Sequence, residues 1–342
     1  MNDSTGKKPA GHRVRVDDVA RVAGVSPITV SRTLSTPEKV SPATRARVLE
    51  AIEDTGYIVN SIASSLRSGR SSIVTVFVAS LLNPHFASAV QGALDAFEGS
   101  RFHLMFAQTG YAGPHGADIT DIVGPFAPAG VIFTGTPLDS EARAAMRELG
   151  VPVIEIWSDG AEPIDMVAGA SIEHGAKLMG QHLAQQGYRE VVYCGQTKLP
   201  GGVGLTGFRA GLESAGASLA HVHALEGTGT LSSGMQAFRQ IREAYPSADA
   251  VYFGSDVTAV GAIIAARDLG MDLPGEMAIA GYGDLDFAVH VRPALTTIEV
   301  SDYLTGKLAG RALRARLEGD GPVNPAIEVP MRLVVRDSTP AK

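Results

Sequence analysis

The stretch from Val16 to Leu34 constrains the fold of this chain more than any other segment, because its pattern is that of two short helices joined by a tight turn. The first helix carries an apolar stripe at helical spacing, made of Val19, Ala20, Val22 and Ala23. Gly24 can end this helix, Ser26 can cap the next one, and Pro27 suits a first helical position, which needs no N–H. The pattern predicts a helix-turn-helix.

In the second helix, Val30 and Leu34 are expected to face a small core. The opposite edge then exposes the start of the helix, which is the part of a helix-turn-helix that enters a DNA major groove. A third helix is predicted from the capping pair Ser41-Pro42 to about Thr55, ended by Gly56, with an apolar face of Val48, Leu49 and Ile52. A helical hairpin packed in some other core is the alternative interpretation.

Charge is distributed unevenly along the 342 residues. The net charge of −7 alone argues against nucleic acid, but residues 1–70 hold 11 Lys and Arg against 7 Asp and Glu. The rest of the chain therefore carries a net charge of −11. This asymmetry fits a DNA-binding head on an acidic body, and the length predicts two or three cores.

The apolar content, 45% of all residues, is spread along the chain as in a soluble globular protein. The longest apolar run, from Ile73 to Leu82, is too short to span a bilayer, so no membrane segment is expected. The polar stretch from Met1 to Gly11 lacks the apolar region of a secretory signal, and residues 1–13 are predicted to be a flexible arm. Cys194 is the only cysteine, which indicates a reducing, cytoplasmic setting and a place in the core.

Six short motifs occur in the first sixty residues: Asp18-Val19-Ala20, Ala23-Gly24-Val25-Ser26, Thr29-Val30-Ser31-Arg32, Val40-Ser41, Thr44-Arg45 and Gly56-Tyr57. Together they resemble the headpiece of the lactose-repressor/galactose-repressor family of bacterial transcription regulators. The resemblance implies a homodimer and a hinge helix that orders on the operator, within residues 59–70. Leu66 corresponds to a leucine that wedges into the minor groove, whereas Val59 replaces a usual proline. The alternative interpretation of residues 59–70 is a plain linker.

From residue 71 onward the pattern alternates between buried strands and helices. Strands are predicted at 73–80, 103–109, 130–134, 151–156, 189–195, 219–225, 250–254 and 277–281. Helices are predicted at 86–98, 140–149, 174–186, 208–215, 231–245 and 257–269. Two similar α/β halves, each with a doubly wound parallel sheet, predict a two-lobed clamshell with a cleft for a small molecule.

Motifs in the body extend the resemblance over nearly the whole chain, among them Gly187-Tyr188, Phe253-Gly254-Ser255-Asp256, Ala278-Ile279-Ala280-Gly281-Tyr282 and Pro293-Ala294-Leu295-Thr296-Thr297-Ile298. The resemblance implies lobes like those of periplasmic sugar-binding proteins, and it is greatest to gluconate-utilisation repressors. The implied domains are a helix-turn-helix head at 14–58, a first lobe at 71–165 plus 298–325, and a second lobe at 166–297 plus 326–342.

Base reading requires hydrogen-bonding or methyl-contacting groups at the start of the recognition helix. Pro27 and Ile28 offer only apolar contact, so Arg32 is the predicted reader of guanine. The remaining DNA contacts, most of them to phosphates, are predicted for Val16, Ser26, Thr29, Ser31, Lys39, Ser41, Thr44, Asn60, Ala63 and Leu66. Local helix capping is the alternative role for Thr29 and Ser41.

The resemblance also implies an effector in the cleft, a sugar or a sugar acid such as gluconate. The predicted effector contacts are Asn83, His85, Phe86, Trp157, Lys198, Arg209, Ser255, Asp256, Tyr282 and Asp284. Gly204 and Gly283 stand where the family often has arginine and aspartate, so two polar anchors are lost. A sugar acid would then need Lys198 or Arg209 for its carboxylate. Packing of Trp157 and solvation of Lys198 are the alternatives.

Two other classes of protein fit parts of the sequence. Residues 202–207 read G-x-G-x-x-G and Glu226 follows at the spacing of a dinucleotide-binding enzyme, but the preceding strand ends six residues too early. A transport-type binding protein would lack the head. His221 and His223 alternate on a strand without an evident third metal ligand, so neither a metal nor a cofactor is expected.

Overall fold

The computed structural model describes residues 14–57, 71–110, 113, 116–135, 138–157, 162–197, 201–225, 229–320 and 324–342. The predicted arm, the whole predicted hinge with Asn60, Ala63 and Leu66, and the predicted effector contact Lys198 lie outside the described residues. The chain divides into two compact units, residues 1–69 and 70–342. None of the described helices is long and apolar enough to cross a membrane.

The described part of the first unit, residues 14–57, contains three helices, α1 (Val16–Ala23), α2 (Pro27–Ser35) and α3 (Pro42–Thr55), with a 3₁₀ turn at Pro37–Lys39. Gly24 and Gly56 end α1 and α3 in the left-handed conformation, at φ of 63° and 65°, as predicted. Ser26 and Ser41 cap α2 and α3 by accepting backbone N–H bonds. The buried core is small and consists of Val19, Ala20, Ala23, Val30, Val48 and Ala51.

Three residues expected in this core are exposed instead: Val22, Leu34 and Leu49. The expectation was wrong because the packed stripe of each helix is narrower than the apolar pattern. On α2, for example, the inward face is centred on Val30 and Thr33, and Thr33 is buried in place of Leu34. The Thr33 hydroxyl is satisfied there by donating to the Thr29 carbonyl.

The second unit is built on two six-stranded sheets. The strands of the first sheet are β1 (Ile73–Val78), β2 (His103–Gln108), β3 (Gly130–Thr134), β4 (Val153–Ile156), β5 (Met166–Gly169) and β11 (Ala326–Glu328). The strands of the second are β6 (Val191–Gly195), β7 (Leu219–Ala224), β8 (Ala250–Phe253), β9 (Ala278–Gly283), β10 (Thr296–Val300) and β12 (Met331–Val334). Every pairing is parallel except β10 with β12.

Helices cover both faces of each sheet, as parallel strands require. On the first sheet they are α4 (Pro84–Phe97) with α11 (Asp302–Glu318), and α5 (Gly116–Val123) with α6 (Ser140–Glu148). On the second they are α7 (Ile172–Gln185) with α8 (Gly201–Ser214), and α9 (Leu231–Ala244) with α10 (Asp256–Asp268). The predicted two-lobed α/β architecture is confirmed, although α5 and α11 were not predicted.

The chain crosses between the lobes a few residues away from the predicted boundaries. β5 at 166–169 and β11 at 326–328 pair in the first sheet, and β10 continues to Val300 in the second. A strand cannot leave its sheet midway without losing its ladder hydrogen bonds. The crossings therefore fall after Gly169, Val300 and Glu328.

The glycines of the G-x-G-x-x-G sequence lie inside α8, which begins at Gly201 rather than at the predicted residue 208. A Cβ on Gly207 would collide with the carbonyl oxygen of Glu173 in α7. This glycine therefore allows two helices to pack closely. It does not form the strand-to-helix turn that a dinucleotide site needs.

Candidate DNA interface and ligand cavity

The start of α2 presents a compact exposed edge. Ser26 Oγ accepts the Thr29 N–H at 3.2 Å and lies 2.9 Å from the Thr29 hydroxyl, so the two polar side chains are oriented together. Pro27 and Arg32 are exposed, and Ile28 is 68% exposed, an unusual setting for a large apolar side chain. This edge can present one cation and one apolar surface to a groove.

A second polar pair at the start of α3 has the same geometry. Ser41 Oγ accepts the Thr44 N–H at 3.3 Å and donates to the Thr44 hydroxyl at 2.9 Å. Capping is therefore shown for Ser26 and Ser41, and it leaves the exposed Ser41 hydroxyl oxygen able to accept further bonds. Of the other predicted contacts, Lys39 is exposed, whereas Ser31 and Val16 are half-buried and Val16 packs against the core of the head.

The body holds a cavity of about 240 Å³ between its two sheets, at the carboxyl ends of the strands. Ligands bind at this position in open α/β sheets because the loops that follow the strands converge there. From the first lobe the lining includes Asn83, Pro84, His85, Phe86, Gly135, Trp157 and Asp302. From the second it includes Ile172, Tyr193, Gln196, Gly204, Leu225, Tyr252, Ser255, Val257, Thr258 and Tyr282.

His85 is the central polar group of the first lobe's wall. Asn83 caps α4 by accepting the His85 N–H at 3.1 Å, which fixes the first turn of the helix. The imidazole Nδ1 then lies 2.6 Å from Oδ2 of Asp302, the first residue of α11. Burial acts to lower the pKa of His85, but the hydrogen bond and charge of Asp302, with the charge of Asp256, raise it above its usual value.

An aromatic pair forms the adjoining wall. The rings of Phe86 and Trp157 meet edge to face, with centroids 5.5 Å apart. Gly135 leaves room for this pair, because a Cβ there would lie 2.8 Å from Phe86 Cε1 and 3.1 Å from Trp157 Cε3. Trp157 itself has a positive φ of 58°, a backbone conformation that L-residues rarely adopt and that orients its ring.

Three predicted effector contacts do not line the cavity. Asp256 is fully buried behind it, where Oδ1 accepts the Thr297 hydroxyl at 2.6 Å and Oδ2 accepts the Leu285 N–H at 2.9 Å. Asp284 pairs with Arg336 at 2.6 Å, and Arg209 is exposed on α8. Burial raises the pKa of Asp256 to about 6. Its position after a strand suggested a ligand contact, but its local role is to anchor a loop.

Sequence reasoning missed several lining residues, including Tyr193, Tyr252 and Asp302. Tyr193 and Tyr252 lie within predicted strands, so their alternation indicated only a core position. Their rings pack at 5.8 Å, and burial raises the pKa of both well above the usual range. Asp302 follows β10, which was not predicted as a strand. Its place at a carboxyl end was the signal that could have found it.

The charges of the described lining are balanced. His85 and Asp302 are the only residues with charged side chains among those described around the cavity, and they bind each other. No group of three or more metal-ligating side chains occurs among the described residues. The described walls can therefore offer hydrogen bonds and aromatic surface, but no unpaired cation.

Two family models match the chain. Residues 15–60 match the bacterial regulatory proteins of the lacI family, and residues 181–339 match the periplasmic binding protein-like domain. The chain is 28% identical over 307 residues to the HTH-type transcriptional regulator GntR of Escherichia coli K12. The match covers 89% of this chain and 92% of that protein.

Solved structures agree with these matches. A lacI-family transcriptional regulator from Silicibacter pomeroyi superposes with a TM-score of 0.85 at 27% identity, over 96% of this chain and 99% of that one. The transcriptional regulator CelR in complex with cellobiose has a TM-score of 0.68 at 27% identity, over 95% of this chain and 100% of that one.

Together the fold and the matches define a class of protein, a helix-turn-helix head joined to a periplasmic-binding-protein-like body of two lobes. A helix-turn-helix head followed by such a two-lobed body is the domain order of a DNA-binding transcriptional regulator. Residues 15–60 carry the match to the lacI family of bacterial regulatory proteins, and relatives that cover most of the chain at 27–28% identity are transcriptional regulators.

Proposed function

We propose that this protein is a transcriptional repressor whose affinity for an operator is controlled by a small carbohydrate effector in the body cavity. The observation that carries the proposal is that one chain has both an exposed recognition-helix edge and a cavity between two lobes. Since chromosomal DNA is the target, the protein acts in the bacterial cytoplasm. The relatives named above are transcriptional regulators, which supports regulation over catalysis.

On DNA, α2 lies in the major groove with Arg32 bound to a guanine and Ile28, beside Pro27, against apolar base edges such as thymine methyls. Ser26, Thr29, Ser41 and Lys39 hold phosphates, which set the register without carrying sequence information. The predicted hinge supplies Leu66 as a minor-groove wedge, so part of the specificity depends on how easily the DNA kinks. Two chains pair so that their heads read a pseudo-palindrome.

The effector acts by changing the angle between the lobes and thus the spacing of the two hinges. A ligand shifts such an equilibrium only by its difference in affinity for the two states, and contact with both walls of the cavity supplies that difference. CelR, which has a similar fold, is known in complex with cellobiose, and this supports a carbohydrate here. The sugar acid gluconate is the specific candidate that the sequence favours.

The test uses the full chain and a library of randomised pseudo-palindromic operators. We expect one sequence class to be enriched, and we expect a carbohydrate that raises the thermal midpoint to change operator affinity by at least about 5-fold in gel shifts. Arg267→Ala removes an exposed charge on α10 and should bind the operator as the parent protein does, so it controls for general effects of charge removal. Failure of every operator to bind contradicts the proposal. A ligand that stabilises the protein without altering operator affinity contradicts its allosteric part.

A further inference from the structure

His85 lies at the junction of the two lobes and contacts both of them. On the first lobe's side, its Nδ1 is 2.6 Å from Oδ2 of Asp302, which comes just after the chain leaves β10 at Val300 and crosses between the lobes. On the other side it meets Gly283 of β9, where a Cβ would collide with Cε1 of the imidazole and lie 2.6 Å from its Nε2. A change in the angle between the lobes must therefore change the surroundings of this histidine.

The ionisable groups that the described elements bring toward the imidazole are mostly acidic. They are Asp302 from α11, Asp256 from α10, and Tyr282 with Asp284 from the end of β9. Asp284 is neutralised by Arg336 at 2.6 Å. Asp256 keeps its charge at neutral pH, because burial raises its pKa only to about 6, and this charge acts on His85 across the junction. The described part of the second lobe therefore faces His85 with one net negative charge.

His85 and Asp302 titrate as a pair. A hydrogen bond of 2.6 Å joins them and their side chains are only 14% and 6% exposed, so a proton taken up by one is shared with the other. With the proton on the imidazole, the positive ring balances the carboxylate and the pair is neutral. Without it, the ring is neutral and the pair carries one negative charge. Loss of a single proton thus changes the pair from neutral to negative.

The second lobe favours the neutral state of this pair for two reasons. Contact with Gly283 excludes water, and a pair with a net charge loses more solvation than a neutral pair does. The negative charge of Asp256 also repels a pair that is itself negative. The pKa of His85 agrees with this sign: burial acts to lower it, but the hydrogen bond and charge of Asp302, with the charge of Asp256, raise it above its usual value.

We propose that His85 and Asp302 form a proton-binding site that controls the angle between the lobes: the protonated pair favours the contact with Gly283, and the deprotonated pair weakens it. The inference rests on the proposed function, in which the lobe angle sets operator affinity, and it adds the proton as a second effector. Because linkage is reciprocal, a change of pH must change operator affinity in the absence of any other ligand.

The first test measures the operator affinity of the full chain between about pH 6 and 8.5 by fluorescence anisotropy, without effector, on the operator selected above. We expect a change of at least about 3-fold, which corresponds to a difference of about half a pK unit between the two lobe arrangements. His85→Gln cannot take up the proton but keeps a donor for Asp302. Its affinity should therefore be independent of pH and equal to that of the parent protein at high pH.

A second test follows the proton itself. In a histidine-labelled chain, the NMR signal of the His85 ring should titrate with a midpoint above about 6.5. Asp256→Asn should lower this midpoint, because it removes a negative charge that belongs to the other lobe. Asp302→Asn should lower it further, because it removes the charge bonded to the ring. Both variants keep the imidazole, so the titration can be followed even if His85→Gln impairs folding.

His174→Gln, a change at an exposed histidine on α7, is the matched control and should keep the pH profile of the parent protein. The inference is overturned if operator affinity of the parent does not vary with pH, if His85→Gln keeps the parent's profile, or if Asp256→Asn leaves the midpoint of His85 unchanged. Each of these results leaves the regulatory function intact. Absence of operator binding at every pH contradicts the proposed function, and the inference fails with it.

Discussion

The DNA-reading edge and the ligand cavity differ in how far apart along the chain their residues lie. Ser26 to Arg32 form the edge from a single turn and helix start, and their orientation depends on a cap bond between residues three apart. In the cavity, the central pair of His85 and Asp302 is separated by 217 positions. The head can thus be altered locally, whereas the cavity depends on the packing of both lobes.

The two regions also differ in the size of their cores. Six buried side chains hold the three helices of the head, among them Val19 and Val30. Each face of each sheet in the body has a separate and larger cluster of buried residues. Small cores leave little margin of stability. A single core change should therefore abolish the function of the head while the body keeps its fold.

Val19→Asp is the change with the largest expected effect. It places an unpaired carboxylate in the core of the head and should cost about 3 kcal/mol or more, enough to unfold so small a unit. Operator binding should be lost, while the ligand-dependent thermal shift of the body remains. Val22→Asp, on the exposed side of the same helix, is the control and should retain binding. Loss of the ligand response in Val19→Asp would show that the two regions are not separable.

Asp256→Asn tests whether the cavity wall and its support have separate roles. The amide keeps one acceptor but turns an NH₂ toward either the Thr297 hydroxyl or the Leu285 N–H. We expect a loss of about 1.5–3 kcal/mol in the stability of the body, with ligand affinity changed less than about 2-fold. Asp286→Asn, an exposed change in the same lobe, should do neither. A large fall in ligand affinity without loss of stability would show that Asp256 belongs to the ligand site after all.

Arg32→Ala addresses base reading in the head. A bidentate contact to guanine contributes about 1–3 kcal/mol of discrimination at one base pair, so that amount should be lost at a single operator position. The measurement is a gel-shift titration against all single-base variants of the selected operator. Uniform weakening on every sequence would show that Arg32 contacts a phosphate instead.

The smallest expected effect concerns pH. Residues 14–57 contain no histidine, so histidine titration in the described part of the chain belongs to the body. His182 is buried, with Nε2 2.8 Å from the Thr339 hydroxyl, and burial lowers its pKa below 6.5. The unfolded chain then binds more protons below pH 6.5, so this contribution to stability is complete above 6.5 and is lost as pH falls toward the folded pKa.

His182→Gln should therefore flatten the fall in the thermal midpoint of the body between pH 7.5 and about 5.5. His174→Gln, at an exposed position, is the control and should keep the slope of the parent protein. His85 acts in the opposite sense, because its raised pKa gives a contribution that is complete below 6.5 and is lost as pH rises. A slope unchanged in His182→Gln would assign the acid sensitivity to other groups.

Much of the head and of the alternation of strands and helices was predictable from the residues alone. Helix caps and stops depend on side chains within four positions, so Ser26, Gly24 and Gly56 could be interpreted without the fold. The apolar residues Val22 and Leu34 misled the prediction, because a pattern shows what can be buried and not what is. In the body, the start of α8 was missed because its glycines look like a loop until α7 packs against them.

The sequence by itself determined the helix-turn-helix, the two α/β halves and the family, because each follows from local patterns or short motifs. The tertiary structure alone decided which residues line the cavity. Asp256 and Asp284 follow strands as a ligand contact would, yet they bind the protein instead. Asp302 also follows a strand, but that strand was not predicted from the sequence, and Asp302 holds His85 across 217 positions. Which residue binds His85 over that distance depends on the register of β10, and no local sequence rule predicts it.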